Sequence, residues 1–214
     1  MSHRRTLLFK KRGQEFMLNF ASVNEDYVDL GVGKVWIEDK SNYSYEVLVS
    51  NLPTGLYGIF GQNVWGSQLR RWGIYMDNST IRIVHNSNTY LADTTITNGI
   101  ITVNVISGVI EMLFDGVVVA NGVIDAYLEV SVPEVRMLIG AYNDADGITP
   151  RPNLFATGTV HWAKIISFGV TNLFSLDEGS GIYTTTSEGD VGEIKTSNAG
   201  GVTYINDVMW EEDV

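Results

Sequence analysis

The sequence predicts an all-β protein, built as a two-sheet antiparallel β-sandwich with a C-terminal extension. Short segments rich in valine, isoleucine, threonine and tyrosine recur along the chain, bounded by glycine, asparagine, aspartate or proline. No long segment has the 3.6-residue period of a helix. Two-residue turn signals separate several of the segments, which indicates strands joined by tight hairpins.

Thirteen segments are candidate strands, and their side chains should alternate between the two faces of a sheet. In the strand over 71–76, Trp72, Ile74 and Met76 share one face, which suits a sheet with one face in a core. Asp115-Gly116 predicts a type I′ hairpin, because both central residues of that turn need a positive φ. The segments are 16–20, 26–30, 43–50, 56–61, 71–76, 80–85, 89–92, 100–106, 109–114, 117–120, 135–141, 155–170 and 182–186.

Length and composition are those of a globular chain with one main domain. The 214 residues are 44% hydrophobic and 18% charged, enough for a sizeable core. Residues 1–15 form a basic arm with a first strand, and residues 16–170 form the sandwich. The composition shifts after residue 170 towards glycine, threonine, serine and acids, so 171–214 are interpreted as an extension that docks on the sandwich or on a partner.

The charge distribution argues against nucleic acid and anionic membrane as partners. Residues 1–12 carry +5 within a net charge of −11, so the rest of the chain carries −16. No stretch of ~18 uninterrupted apolar residues predicts a membrane span. The apolar stretch Leu7–Phe9 is too short for a signal peptide, and the absence of cysteine favours synthesis inside a cell.

Four segments resemble the strand patterns of concanavalin A-like, laminin-G-like jelly-roll domains. The resemblance covers roughly residues 16–170 and implies two stacked antiparallel sheets, with recognition on a concave face or on rim loops. The later segment LFSLDEGSG is similar to extensions in tailed-phage virion proteins of this fold. The four segments are FMLNFASVNEDYVDLG (16–31), VNVISGVIEMLFDGVVVANG (103–122), MLIGAYNDADG (137–147) and FATGTVHWAKIISFG (155–169).

The resemblance implies a phage structural protein, made in the host cytoplasm without a signal peptide and located in the virion. The leading hypothesis is a non-catalytic decoration, fibre or tail component that contacts other virion proteins, copies of itself and host-surface glycan. A carbohydrate-binding lectin module is the first alternative. A glycan hydrolase or lyase is the more distant one.

The sequence predicts no enzyme and no catalytic residue. Enzymes of the fold family that this chain resembles, such as the laminarinase-type glucanases, carry the strand motif E-x-D-x-x-E, which this sequence lacks. The nearest pair is Glu111 and Asp115, about 13 Å apart along a strand. That separation exceeds the roughly 5–9.5 Å that glycosidases use.

One loop is a candidate calcium site. Asn143, Asp144 and Asp146 place oxygen ligands around a bend at Gly147, as calcium requires. The match to an EF-hand loop is incomplete, because Leu154 stands where the last ligand, a glutamate, would be. Clusters of asparagine, aspartate and glycine are also ordinary turn formers, so both interpretations stay open.

An aromatic segment, residues 55–75, is the candidate ligand site. Sugars stack on aromatic rings and bond to amide and guanidinium groups, so the residue types fit a glycan. Phe60 and Trp72 are expected in the core. The same composition is enriched at protein interfaces, so a protein partner fits equally well. The expected ligand contacts are Trp65, Tyr57, Arg70, Gln62 and Asn63.

Overall fold

In the computed structural model, the described part of the chain forms sixteen strands in two sheets, numbered here in chain order. Every pairing between them is antiparallel. The predicted two-sheet antiparallel β-sandwich is therefore confirmed. The structure describes residues 15–32, 34–62, 64, 72–86, 88–91, 96–124, 135–176, 183–185, 191–195 and 203–207.

Sheet A has eight strands. They are β1 (Glu15–Phe20), β3 (Asn42–Ser50), β8 (Gly99–Ile106), β9 (Val109–Phe114), β10 (Val117–Val123), β12 (Gly158–Ser167), β13 (Val170–Phe174) and β16 (Thr203–Asp207). Their order is β10-β9-β8-β3-β12-β1-β16, and β13 pairs with the second half of β12. The strand β3 therefore lies near the middle of the sheet.

Sheet B also has eight strands. They are β2 (Tyr27–Asp29), β4 (Gly55–Gln62), β5 (Trp72–Asn78), β6 (Thr80–His85), β7 (Asn88–Leu91), β11 (Leu138–Ile139), β14 (Tyr183–Thr185) and β15 (Val191–Lys195). Their order is β14-β15-β2-β11-β4-β5-β6-β7. One 3₁₀ turn, Ser22–Asn24, precedes β2.

The main core lies between the sheets and is built by strict alternation in strands such as β3. Tyr43, Tyr45, Val47 and Val49 of β3 are buried, whereas the residues between them are partly exposed. Burial of apolar side chains stabilises the fold by about 25 cal/mol per Å² of apolar surface. The largest buried side chains in this cluster include Trp72, Tyr45, Phe20, Phe60 and Phe174.

The turn chemistry read from the sequence is confirmed at the β9–β10 hairpin. Asp115 and Gly116 have φ of 47° and 78°, the left-handed values that a type I′ turn needs. Asp115 Oδ1 also accepts the backbone N–H of Ile100 at 2.8 Å. The carboxylate is thus used to hold the turn against β8.

Sheet B departs from the expectation of one buried face. Trp72, Ile74 and Met76 are buried, as predicted, but Gly73 and Tyr75 on the opposite face are buried too. The cause is the segment 140–157, which turns out of the sheet after β11 and crosses its outer face, the face turned away from sheet A. Tyr142 of this segment packs edge-on against Tyr75, with ring centroids 5.4 Å apart.

The described strands after residue 170 belong to both sheets. The strand β13 forms a hairpin with β12, so the boundary expected at residue 170 falls inside a hairpin. The strands β14 and β15 extend sheet B beside β2, and β16 pairs with β1 in sheet A. Residues 1–14 of the expected basic arm lie outside the described residues. In the part of the chain that the structure describes, no helix is long and apolar enough to cross a bilayer.

Candidate functional site

Tyr57, an expected ligand contact, lies in the core. Only 4% of the residue is exposed, and its hydroxyl donates a hydrogen bond to the Pro53 carbonyl at 2.6 Å. Burial raises the pKa of the Tyr57 hydroxyl well above its ordinary value. The ring therefore offers no open face on which a sugar could stack.

Gln62, a second expected contact, is also used by the fold. Its Nε2 donates to the Val135 carbonyl at 2.9 Å, and its Oε1 accepts the indole N–H of Trp72 at 3.0 Å. Both ends of the amide are occupied inside the protein, so Gln62 orients Trp72. Trp72 and Phe60 are core residues, as predicted. Asn63, Trp65 and Arg70 lie outside the described residues.

The loop 143–147 is held by its own hydrogen bonds. Asp146 accepts the backbone N–H groups of Ile148 and Thr149 and the Thr149 hydroxyl, at 2.6–2.9 Å. These bonds, the hydroxyl first, hold the pKa of the Asp146 carboxyl below its usual value. Asp144 accepts the guanidinium of Arg151 at 2.8 Å.

Asn143 is fully buried and donates to the Arg136 carbonyl at 2.7 Å. Turn chemistry thus accounts for much of the pattern that suggested calcium. Within the described residues, no group of three or more histidine, cysteine, aspartate or glutamate side chains converges as a metal site.

Calcium binding at this loop stays a prediction, and chelation tests it. An ion that binds only the folded state raises its stability, so EDTA should lower the melting temperature if calcium occupies the loop. Thermal unfolding with EDTA and with added calcium measures the effect. The variant Asp146→Asn should lose the response to both. An unchanged melting temperature of the wild type in EDTA contradicts the calcium site.

The outer face of sheet A carries an aromatic side chain that the sequence had not singled out. Trp162 of β12 is partly exposed and pairs across strands with Leu48 of β3. The two strands shift register between Val160 and Trp162, a β-bulge that places both His161 and Trp162 opposite β3. Bulges commonly re-aim side chains next to functional sites.

Polar groups surround the Trp162 ring on this face. Lys164 Nζ lies 5.5 Å from the ring centroid and 2.6 Å from a carboxylate oxygen of Glu46 on β3. On the other side, His161 Nε2 and the Ser50 hydroxyl are 2.9 Å apart. We call the surface formed by Ser50, Leu48, Glu46, His161, Trp162 and Lys164 the Trp162 face.

The Trp162 face combines an apolar ring with hydrogen-bonding groups on both sides. Leu48 lies beside the ring across the ladder, and Ile100 of β8 lies beyond Leu48. The ion pair leaves the surface without net charge. A partly exposed ring edged by donors and acceptors is the arrangement that stacks on the apolar face of a sugar and bonds its hydroxyls. The sequence signal was the run His161-Trp162, whose exposure depends on the bulge.

Glu111 and Asp115, which came nearest to a catalytic carboxylate pair in the sequence, have different roles in the structure. Asp115 holds the β9–β10 turn. Glu111 lies on the outer face of sheet A, in a cross-strand row with Asn104 and Asn121. Neither contacts the Trp162 face through any hydrogen bond or ion pair among the described residues.

Comparisons with known proteins establish the fold. No family model matches the sequence, and neither does any curated protein. The structure is similar to that of a protein from Bacteroides ovatus to which carbohydrate binding is ascribed, with a TM-score of 0.64 and 14% sequence identity. The fold is a jelly-roll β-sandwich.

The match to this jelly roll covers 90% of the chain but only 60% of the Bacteroides protein, so the chain spans less than two thirds of that neighbour's length. A heptameric SAP-like pentraxin from Limulus polyphemus aligns with a TM-score of 0.49 and 11% identity, covering 86% of this chain and 96% of the pentraxin. At 14% identity, the similarity to the Bacteroides protein defines the architecture alone.

Proposed function

We propose that this jelly roll is a non-catalytic carbohydrate-binding module and that Trp162 is its stacking ring. The observation that carries the proposal is the Trp162 face, where a partly exposed indole lies between an ion pair and a histidine–serine pair. The carbohydrate binding ascribed to the Bacteroides protein of the same fold supports it.

The chemistry of the face favours a neutral glycan. Lys164 is already paired with Glu46 at 2.6 Å, so an anionic sugar would have to break this pair to gain a cation. The net charge of −11 would further repel an anionic ligand. A neutral sugar needs only the ring and the hydrogen-bonding capacity of the rim.

The variant Trp162→Ala tests the stacking ring. We expect about a tenfold loss of affinity for any glycan that a glycan array identifies, because the variant loses roughly 0.5–1.5 kcal/mol of stacking together with the apolar area that the ring buries against the sugar. Isothermal titration calorimetry measures the change. Trp162→Phe, which keeps an aromatic ring, should retain most of the affinity, and thermal unfolding checks that both variants fold.

The segment 63–70 gives the competing location. Trp65, Asn63 and Arg70 remain expected ligand contacts, and Trp65→Ala is the matched variant. Loss of binding in Trp65→Ala with unchanged binding in Trp162→Ala would contradict the Trp162 face and move the site to that segment.

We further infer that the module belongs to a phage particle, as a decoration, fibre or tail component located in the virion. The resemblance of the LFSLDEGSG segment and the opposite charges of residues 1–12 and of the remaining chain support this role, because opposite charges steer association. Its partners would then be other virion proteins, copies of the same chain and host-surface glycan. Adjacent capsid or tail genes are the expected finding, and a neighbourhood of polysaccharide-degradation genes would contradict it.

A further inference from the structure

Exposed apolar side chains concentrate at one end of sheet A. Four of them lie there, although exposed apolar side chains scattered singly are the usual pattern on a protein surface. Phe168 is the most exposed, at 74%, and Val123 follows at 72%. We call this surface the apolar band; its members are Ile106, Val109, Val123 and Phe168.

The strand register brings these residues together. Ile106 of β8 pairs with Val109 of β9, which pairs with Val123 of β10, so the three form one row across the outer face. Ile106 also pairs with Asn42, the first residue of β3. Phe168 directly follows Ser167, the partner of Tyr43, so it lies at the same end beyond Asn42. Four strand spacings of about 4.8 Å make the band about 19 Å long.

Phe168 occupies a backbone conformation that does not suit it. Its φ is 55°, in the left-handed region, at the turn between β12 and β13. Most other non-glycine residues with positive φ in the described chain are asparagine or aspartate, which tolerate this region. Leu176 shares the strain but is fully buried, so packing explains it. Phe168 is strained and 74% exposed, so burial of its ring offsets little of the strain.

Charge is absent from the band and present at its rim. The residues between its two ends, Asn42, Ser107 and Gly108, are uncharged. Glu38 and Asp39 lie beside it, where their backbone N–H groups bond to the Ser167 hydroxyl. An apolar centre with a polar rim is the composition of a protein interface. In a chain of net charge −11, two copies meet with least repulsion on such a surface.

We propose that the apolar band is the interface of a two-fold symmetric dimer. The band has an aromatic knob, Phe168, at one end and an aliphatic row, Ile106, Val109 and Val123, at the other. In a dimer with its two-fold axis near Asn42, the Phe168 ring of each copy packs against the aliphatic row of the other copy. The surface is therefore self-complementary. The band has four apolar residues, against about 20–30 residues a side in a standard interface, so we expect a dimer that dissociates on dilution, with a dissociation constant in the roughly micromolar range.

The variant Phe168→Asn separates association from stability. Asparagine tolerates the left-handed region, so the melting temperature should rise by about 2–4 °C while the dimer weakens at least tenfold. Sedimentation equilibrium of the full chain measures the association. Val109→Thr should weaken the dimer as well. Val117→Thr is the matched control, because Val117 is 66% exposed but lies at the opposite end of β10, and it should leave the dimer unchanged.

Two results overturn the proposal. One is a wild-type chain that stays monomeric at about 100 µM, well above the expected dissociation constant. The other is a dimer that Phe168→Asn leaves intact. A monomeric wild type that sediments with phosphatidylcholine vesicles, when Phe168→Asn does not, would show that the band contacts a bilayer. That result excludes the dimer. The band lies about 20 Å along β3 from Leu48, so glycan affinity tests the Trp162 face independently.

Discussion

Replacing Trp72 by alanine is expected to lower the free energy of unfolding by about 3–5 kcal/mol, the usual cost of removing a large aromatic side chain from a core. Trp72 is 1% exposed. Its ring lies 4.8 Å from that of Tyr45 and packs edge-on against Phe60 at 5.5 Å. The truncation also removes the donor that Gln62 Oε1 accepts, leaving a buried amide oxygen unpaired.

Denaturant unfolding monitored by circular dichroism measures the Trp72→Ala effect. Trp162→Ala is the matched control, because it removes the same side chain from a partly exposed position and should cost much less. The loss of free energy of unfolding for Trp72→Phe should lie between the losses for these two variants, because phenylalanine keeps a ring but cannot donate a hydrogen bond to Gln62. A loss below about 1 kcal/mol for Trp72→Ala would contradict the place of this residue in the core.

Replacing Gly58 by alanine should destabilise the fold by about 3 kcal/mol or more, through collision with backbone. A Cβ at this position would lie 2.2 Å from the Ala141 carbonyl oxygen and 2.4 Å from its carbon. Neither neighbour is a flexible side chain that could move aside. The methyl group therefore has to push the crossing segment away from β4, which would uncover Tyr75.

Gly108→Ala is the control for Gly58→Ala. No atom lies within 4 Å of a Cβ at Gly108, but its φ of 88° strains any other residue. That substitution should lower the free energy of unfolding by about 1–2 kcal/mol, because it adds only the backbone strain of the left-handed region. Equal melting temperatures for the two variants would show that the contact between a Cβ at position 58 and the Ala141 backbone does not destabilise the fold.

Local chemistry was enough to predict the strands and several turns. The Asp115-Gly116 turn follows from the positive φ that only certain residues accept, and alternation correctly placed Trp72, Ile74 and Met76 on a buried face. These features depend on residues close in sequence. They are therefore readable without knowledge of the tertiary fold.

Features that depend on distant contacts were not readable. Tyr57 and Gln62 have side chains that suit either a binding surface or a core, and their burial follows from neighbours such as Pro53 and Val135. The second buried face of sheet B exists because the segment 140–157 crosses it. No periodicity within β5 could reveal a covering supplied from a remote part of the chain.

The Trp162 face also depends on contacts between segments that are distant in sequence, so it could not be predicted from the sequence. In the sequence Trp162 is one of several apolar residues within 155–170, and simple alternation does not mark it as exposed. The bulge at His161 and the pairing with Leu48 and Glu46 decide its orientation. Both depend on strand register, which forms only when β3 and β12 meet.

The pairing of β1 with β16 has a consequence for the speed of folding. Residues 15–19 of β1 lie opposite residues 203–207 of β16, so this part of sheet A joins segments almost two hundred positions apart. The entropy of closing so long a loop must be lost before the contact stabilises anything. Chains dominated by such non-local pairings fold slowly. During synthesis on a ribosome, the edge of β1 that pairs with β16 stays unpaired until residue 207 has been made. Association of incomplete chains would begin at this open edge.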